Sequence, residues 1–165
     1  MNQSTQKKTK HSCTVGDVLA VPLPKERFGY VRIINIKDGW DLAEVLAVTT
    51  KLALFDDAVR TAAALYPPVS FSLNNVAAGL MKPVGHTSSF QPDYVKRLWY
   101  RRGIPGHYLK IRVNQSKSEG TLTNAEAADL PNQEFYAFEK MVQRVMERLA
   151  ANRTVQDWLA AGPPD

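Results

Sequence analysis

The sequence contains very few cysteine and histidine residues. Cys13 is the single cysteine among 165 residues, so no internal disulfide can form, and a reducing compartment is expected. One cysteine and three histidines also cannot supply a zinc site of the four-cysteine type. These counts exclude a disulfide framework and a zinc site of the four-cysteine type.

Long apolar runs are also missing. No run of about 18 apolar residues occurs, so the sequence predicts no transmembrane helix. The first residues, MNQSTQKKTKHSC, are basic but lack the apolar segment that follows the basic residues of a signal peptide. We therefore expect a cytoplasmic protein without a membrane partner.

Catalytic motifs are equally scarce. The sequence contains neither of the two common glycine-rich phosphate loops and no H-E-x-x-H metal motif. His86 and His107 are the remaining acid–base candidates, and the pair Asp56–Asp57 could hold a hard cation. The simpler interpretation places the histidines at turns or strand ends and the aspartates at a helix start. We predict no catalytic residue, no metal site and no cofactor, with an enzyme as a minor alternative.

What is present is a globular composition. Hydrophobic residues make up 44% of the chain and charged residues 22%. A chain of this length buries roughly 70% of its unfolded surface, which is enough for one core. We predict a disordered basic tail over residues 1–13 and one α+β domain over 14–165, mainly β over 14–113 and helical over 121–161.

The charge is unevenly distributed. The net charge is +5, yet the tail and the segment 94–118 hold ten of the 21 basic residues and no acid, so the rest carries 11 bases against 16 acids. Such asymmetry can steer an anionic partner, and it can equally be a solvated surface stripe. The basic residues of segment 94–118 are Lys96, Arg97, Arg101, Arg102, Lys110, Arg112 and Lys117.

The first two thirds of the chain are typical of an antiparallel meander. Apolar, β-branched runs at 15–23, 28–36 and 40–48 are joined by short turns. An alanine-rich segment, 56–66, predicts a short helix stopped by Pro67 and Pro68, with a strand over 69–73 after it. We further expect an extended edge at 80–86, a turn at 103–106 and a strand at 107–113, while 94–100 could be helix or strand.

The last third is typical of helices. A polar linker is expected over 114–120, and Thr123 begins a capping box with Glu126. A helix is predicted from Gln133 to Ala151 with Asn132 as N-cap, and Thr154 begins a last short helix that ends at Gly162. The apolar stripe of the long helix comprises Phe135, Phe138, Val142, Val145 and Leu149. The fold class is therefore α+β: a small antiparallel sheet or partly closed barrel, followed by a helical segment.

Two predicted strands carry a family resemblance. Residues 16–23, G-D-V-L-A-V-P-L, and 28–33, F-G-Y-V-R-I, resemble the opening of the immunity protein 26 family of bacterial polymorphic toxin systems. That family opens with G-D-V-F-A-I-P-L and then G-Y-G-R-V. Here Leu19 replaces the aromatic residue and Val31 the second glycine. The resemblance implies a protein that binds a cognate toxin and neutralises it by occlusion.

The candidate partner-binding residues follow from side-chain type. Alternation in the second strand places Tyr30, Arg32, Ile34 and Ile36 on one face, and aromatic and arginine side chains are typical interface anchors. The alternative is that Tyr30 is a core residue and Arg32 lies at the rim. A nucleic-acid-binding barrel is the second hypothesis, because aromatic rings interleave with the basic run. The candidate set comprises Tyr30, Arg32, Lys96, Arg97, Trp99, Arg101 and Arg102.

Overall fold

The residues that the structure describes form two antiparallel sheets and five α-helices, which confirms the predicted α+β class. The computed structural model describes residues 12–37, 40–113, 115, 117–132 and 137–162. The predicted tail, apart from residues 12 and 13, lies outside the described residues. The elements are β1 Asp17–Leu23, β2 Arg27–Lys37, β3 Trp40–Thr50, α1 Asp57–Thr61, β4 Ala64–Phe71, α2 Leu73–Ala77, β5 Lys82–His86, the 3₁₀ helix Asp93–Arg97, β6 Trp99–Ile104, β7 His107–Arg112, β8 Ser118–Leu122, α3 Asn124–Ala128, α4 Phe138–Ala151 and α5 Val155–Ala161.

The larger sheet has the strand order β4-β3-β2-β1-β5. Its first three strands pair antiparallel in chain order, which confirms the predicted meander. β4 and β5 are its two edges, so the sheet is open rather than closed into a barrel. The extended edge predicted at 80–86 is confirmed over residues 82–86 as β5, which pairs with β1.

Helices and the smaller sheet cover the two faces of this sheet. On one face Val31, Ile33 and Val45 pack against Met141 and Val145 of α4. The other face carries two further clusters, and these contain residues of α1, α5 and the smaller sheet. A sheet buried on both faces explains why β1 is apolar at four successive positions, 18–21.

The predicted facing of β2 is correct only in its first half. Tyr30 and Ile34 lie on the face opposite Val31 and Ile33, as alternation requires. Ile36 packs with Val31 and Ile33 instead, because the pairing with β3 shifts register between Ile33 and Asn35. A bulge of this kind reverses the facing of every later side chain in a strand.

The predicted helix over 56–66 is wrong beyond residue 61. Asp56 begins α1 by accepting a hydrogen bond from the Val59 amide, as expected for an acidic N-cap. The chain then enters β4, which continues through Pro67 and Pro68. Proline is tolerated there because β4 is an edge strand and one side of its backbone needs no partner strand. Pairing with β3 therefore overrides the helical spacing of the alanines.

The smaller sheet has the order β6-β7-β8. The turn predicted over 103–106 is confirmed at residues 105 and 106, whereas residues 103 and 104 belong to β6. The strand after the turn is confirmed as β7, and the undecided segment 94–100 is a 3₁₀ helix followed by the start of β6. The predicted polar linker is wrong at residues 118–120, which belong to β8. This strand is polar and mostly exposed, so it has no hydrophobic alternation to reveal it.

The C-terminal helices follow the sequence closely, except at the start of α4. Both capping boxes are confirmed, one at Thr123 and one at Thr154. The N-cap of α4 is Ala137, not Asn132, which instead forms a parallel bridge with Arg101. Residues 133–136, including Phe135 of the predicted stripe, lie outside the described residues. Met141, which the predicted stripe omitted, is fully buried.

Candidate functional site

The basic residues of segment 94–118 lie on the hairpin formed by β6 and β7 and in the segments that flank it. Its strands pair without interruption from Trp99 opposite Arg112 to Ile104 opposite His107. Pro105 and Gly106 form the turn, where Gly106 has φ +82°, a conformation that glycine adopts at no steric cost. The Gly106 amide donates to Asn124 Oδ1 at 2.7 Å, so the turn is attached to the start of α3.

One face of the hairpin stacks cations over aromatic rings. The guanidinium of Arg112 lies 4.0 Å and the ammonium of Lys110 4.3 Å from the centre of the Trp99 ring. Arg101 lies 5.0 Å from the centre of the Tyr108 ring. Trp99 is only 8% exposed and Tyr108 9%. These rings are therefore already covered, and they do not offer open faces on which bases could stack.

The other face of the hairpin is buried near its base and exposed near its turn. Near its base, Tyr100 and Ile111 are buried in the core. Towards the turn, cross-strand pairing places Arg102 beside Leu109 and Ile104 beside His107, all four exposed. Ile104 is 66% exposed and Leu109 38%. We call Arg102, Ile104, His107 and Leu109 the hairpin-tip surface.

The remaining basic residues surround the base of the hairpin. Arg97 and Lys117 are exposed. Lys96 is 84% exposed, and its Nζ lies 3.6 Å from Asp93 Oδ1. Arg112 lies 3.4 Å from Glu119. Asp93 and Glu119 therefore lie beside bases at the base of the hairpin, and Glu126 interacts with Lys110 and lines the same groove as His107 and Leu109 near the tip. The segment 94–118 itself carries seven bases and no acid.

Tyr30 does not lie on a surface, which corrects the prediction that it contacts a partner. It is fully buried. Its hydroxyl hydrogen-bonds with Thr50 Oγ1 at 2.6 Å and with the Leu52 carbonyl at 2.8 Å, and it accepts from the Leu54 amide. These bonds hold the loop after β3 against the sheet. The alternative interpretation of Tyr30 as a core residue is therefore the correct one.

Arg32 belongs to a buried polar cluster. It pairs across the sheet with Glu44 of β3, and its Nε donates to Glu44 Oε1 at 2.5 Å while Nη2 contacts the same oxygen. Glu44 is 1% exposed and the Arg32 side chain 14%. The Tyr94 hydroxyl donates to Glu44 Oε2, and the guanidinium lies 4.1 Å from the centre of the Phe90 ring. The guanidinium of Arg32 is therefore committed mainly to the protein's own interior.

This cluster also determines how Tyr94 titrates. Burial raises the pKa of the Tyr94 hydroxyl well above its ordinary value, and the adjacent charge of Glu44 raises it further. The phenol therefore remains a hydrogen-bond donor to the carboxylate. Glu44 was not among the predicted site residues, although a lone acid within the apolar run Leu42–Leu46 was a usable signal for a buried, partnered charge.

The two histidine candidates are not brought together. His86 Nδ1 lies 2.8 Å from Asp17 Oδ1 at the edge of the larger sheet, whereas His107 is on the hairpin tip. Burial raises the pKa of the Cys13 thiol, which disfavours the reactive thiolate. Within the described part of the chain, no three His, Cys, Asp or Glu side chains group closely enough to hold a metal ion.

Comparisons with known proteins identify no relative of this chain. The chain matches no protein-family model, no curated protein and no solved structure at a significant level. Among the described residues, no helix combines the length and the apolar character needed to cross a membrane. Inferences about function therefore depend on the surfaces and side-chain clusters described above.

Proposed function

We propose that this protein is an immunity protein that binds a cognate bacterial toxin and neutralises it by occlusion. The observation that carries this proposal is the hairpin-tip surface, where Ile104 and Leu109 are exposed beside Arg102. The resemblance of residues 16–33, which form β1 and β2, to the immunity protein 26 family supports the same function. Such a protein acts in the cytoplasm of the cell that it protects.

The composition of the hairpin-tip surface suits protein recognition. Burying a side chain such as Ile104 or Leu109 against a partner contributes about 1.5–3 kcal/mol. Arginine is enriched among the residues that dominate interface energies. The ordered turn, attached to Asn124, reduces the conformational entropy that binding would otherwise cost.

Charge indicates which face of a toxin this surface would cover. The cations of segment 94–118 favour an acidic partner surface and repel a basic one. We therefore expect a toxin whose active-site cleft is rimmed by carboxylates, rather than a nuclease with a basic cleft. Association should slow as salt concentration rises, because screening weakens electrostatic steering.

The test is co-expression with the toxin encoded beside the gene for this protein, with survival as the readout. Ile104→Glu should abolish protection, because it places an anion in the centre of the contact. Leu52→Glu is the matched control, since Leu52 is 65% exposed in the loop after β3 and Ile104 is 66% exposed. The proposal is wrong if the wild-type protein leaves survival unchanged, or if both variants protect equally well.

The alternative function is nucleic-acid binding through segment 94–118. The concentration of cations there favours it, while the covered rings of Trp99 and Tyr108 disfavour stacking on bases. Binding to single-stranded RNA or DNA would weaken linearly on a plot of log affinity against log salt. Retention on either polymer at low salt, together with failed protection, would favour this alternative.

A further inference from the structure

A groove of about 530 Å³ opens beside the buried cluster of Arg32, Glu44 and Tyr94. Its floor is the face of the larger sheet, and its sides come from the loop before the 3₁₀ helix and from the start of α5. Volumes of roughly 300–1,000 Å³ are typical of small-molecule sites. The hairpin-tip surface contributes none of the residues that line the groove, so the two features can be tested separately.

The floor of the groove offers hydrogen-bond donors but no free carboxylate oxygen. Arg32 engages Glu44 through Nε and Nη2, and among the described residues its Nη1 has no acceptor. Both oxygens of Glu44 are occupied, Oε1 by Arg32 and Oε2 by Tyr94. The spare N–H groups of the guanidinium would bind an acceptor on a ligand that reaches this floor.

The charge of the floor is already balanced. Arg32 and Glu44 cancel, and Asp93, which also lines the groove, has an 85% exposed carboxylate that lies 3.6 Å from Lys96 Nζ. An anionic ligand would approach Arg32 only by also approaching the buried carboxylate of Glu44. It would lose hydration without gaining a free positive charge, so an uncharged acceptor such as a carbonyl is favoured.

The walls favour a flat ligand. They include the ring of Phe90 and the small side chains of Ala63 and Ala64. The Phe90 ring already stacks on the Arg32 guanidinium at 4.1 Å, so a planar group entering beside them would contact apolar surface on its faces and N–H donors at one edge. Gln91 and Gln156 place amide groups at the rim.

We propose that this groove binds a small, uncharged, planar cyclic compound that carries a carbonyl group. The carbonyl accepts from Arg32, and the ring contacts the apolar lining formed by Phe90, Ala63 and Ala64. This groove is distinct from the hairpin-tip surface, and the proposal does not depend on toxin binding.

The test is a titration of ¹⁵N-labelled full-length protein with nicotinamide and with uracil, followed by NMR. Saturable shifts are expected for the Arg32 Nε–H and for the backbone amides of Phe90 and Gln156. Nicotinate has the same ring as nicotinamide but carries a carboxylate, and it should bind roughly tenfold more weakly, equivalent to about 1.4 kcal/mol. Because this comparison uses the wild-type protein, it does not depend on whether any variant folds.

A groove-filling variant adds a second readout. Ala63→Trp should reduce the affinity for nicotinamide or uracil by roughly tenfold or more, while the Arg32–Glu44 pair is unchanged. Ala160→Trp is the matched control, because Ala160 is an exposed alanine of α5 that does not line the groove. Absence of saturable shifts with both uncharged probes, equal binding of nicotinate, or unchanged binding by Ala63→Trp would each overturn the proposal.

Discussion

Arg32 and Glu44 lie opposite each other on β2 and β3 and form an ion pair whose carboxylate is 1% exposed. Tyr94 donates to the same carboxylate from the 3₁₀ helix that leads into the hairpin. The pair therefore connects the centre of the larger sheet to the start of the basic segment. Burying two charges costs desolvation energy, which close pairing and hydrogen bonds to both oxygens offset.

Removing one member of this pair should be strongly destabilising. Glu44→Gln leaves the Arg32 guanidinium buried without its counter-charge, and we expect the free energy of unfolding to fall by about 3–5 kcal/mol. Chemical denaturation measures this loss. The double variant Arg32→Met/Glu44→Leu is the control and should lose less than the single variant, because no unpaired charge remains. A single variant that unfolds at the wild-type midpoint would contradict the role given to the pair.

The hairpin depends on Gly103. This residue has φ +120°, and a Cβ atom added there would lie 2.2 Å from the His107 carbonyl oxygen. Gly103→Ala should therefore lower the free energy of unfolding by about 2 kcal/mol or more, measured by chemical denaturation. Gly106 has φ +82° but nothing within 4 Å of an added Cβ, so Gly106→Asn should cost no more than about 1 kcal/mol. Equal losses in the two variants would argue against steric crowding at Gly103.

Tyr66 should make stability depend on pH in alkaline solution. Burial raises the pKa of its hydroxyl from 10.0 to about 12. The folded state therefore favours the protonated phenol, and this stabilisation is complete below pH 10 and is lost as pH rises through about 12. The advantage of the wild-type protein over Tyr66→Phe should shrink by roughly 2–3 kcal/mol across that interval, at about 1.4 kcal/mol per pH unit.

Unfolding free energies of the two proteins, measured at several pH values, test this prediction. Tyr66→Phe keeps the ring that stacks on Trp158 at 4.6 Å and loses only the hydroxyl and its bond to the Asp129 carbonyl. A constant difference in stability over the whole interval would show that the phenol ionises equally easily in the folded and unfolded states.

The capping box of α5 should contribute measurably to stability. Thr154 Oγ1 accepts from the Asp157 amide at 3.0 Å, and the Asp157 carboxylate accepts from the Thr154 amide at 2.9 Å. Thr154→Ala should lower the free energy of unfolding by about 1 kcal/mol, whereas Thr154→Ser keeps the hydroxyl and should lose much less.

The same substitution has a spectroscopic signature. Hydrogen bonds from Thr154 lower the pKa of the Asp157 carboxyl, so this pKa should rise towards its ordinary value in Thr154→Ala when followed by NMR. The contribution of the cap is present above the ordinary pKa of 3.8 and is lost as pH falls through the lowered value. An unchanged pKa in Thr154→Ala would contradict the capping interaction.

Features that depend on neighbouring residues were predictable from the sequence alone. Both capping boxes, the turn at Pro105–Gly106 and the meander of the first three strands formed as expected. Each arises from side-chain and backbone preferences within a few residues, or from apolar runs joined by short turns. The side-chain facing of β2 was predictable only as far as the bulge after Ile33.

Features that depend on distant partners were not predictable. β4 is a strand because β3 supplies its hydrogen bonds, although its sequence begins with the alanines of a helical pattern. β8 is a strand only through its pairing with β7. Glu44 and Tyr94 lie 50 residues apart in the chain, and no spacing rule connects them.

The sequence by itself therefore determined the fold class, the caps and turns, and the position of the basic segment. Only the tertiary structure decided that Tyr30 is buried, that Arg32 is paired, and that Ile104 and Leu109 remain exposed at the tip of the hairpin. The physical reason is that burial belongs to a side chain's surroundings after folding. Those surroundings are built from segments that the linear order of residues keeps far apart.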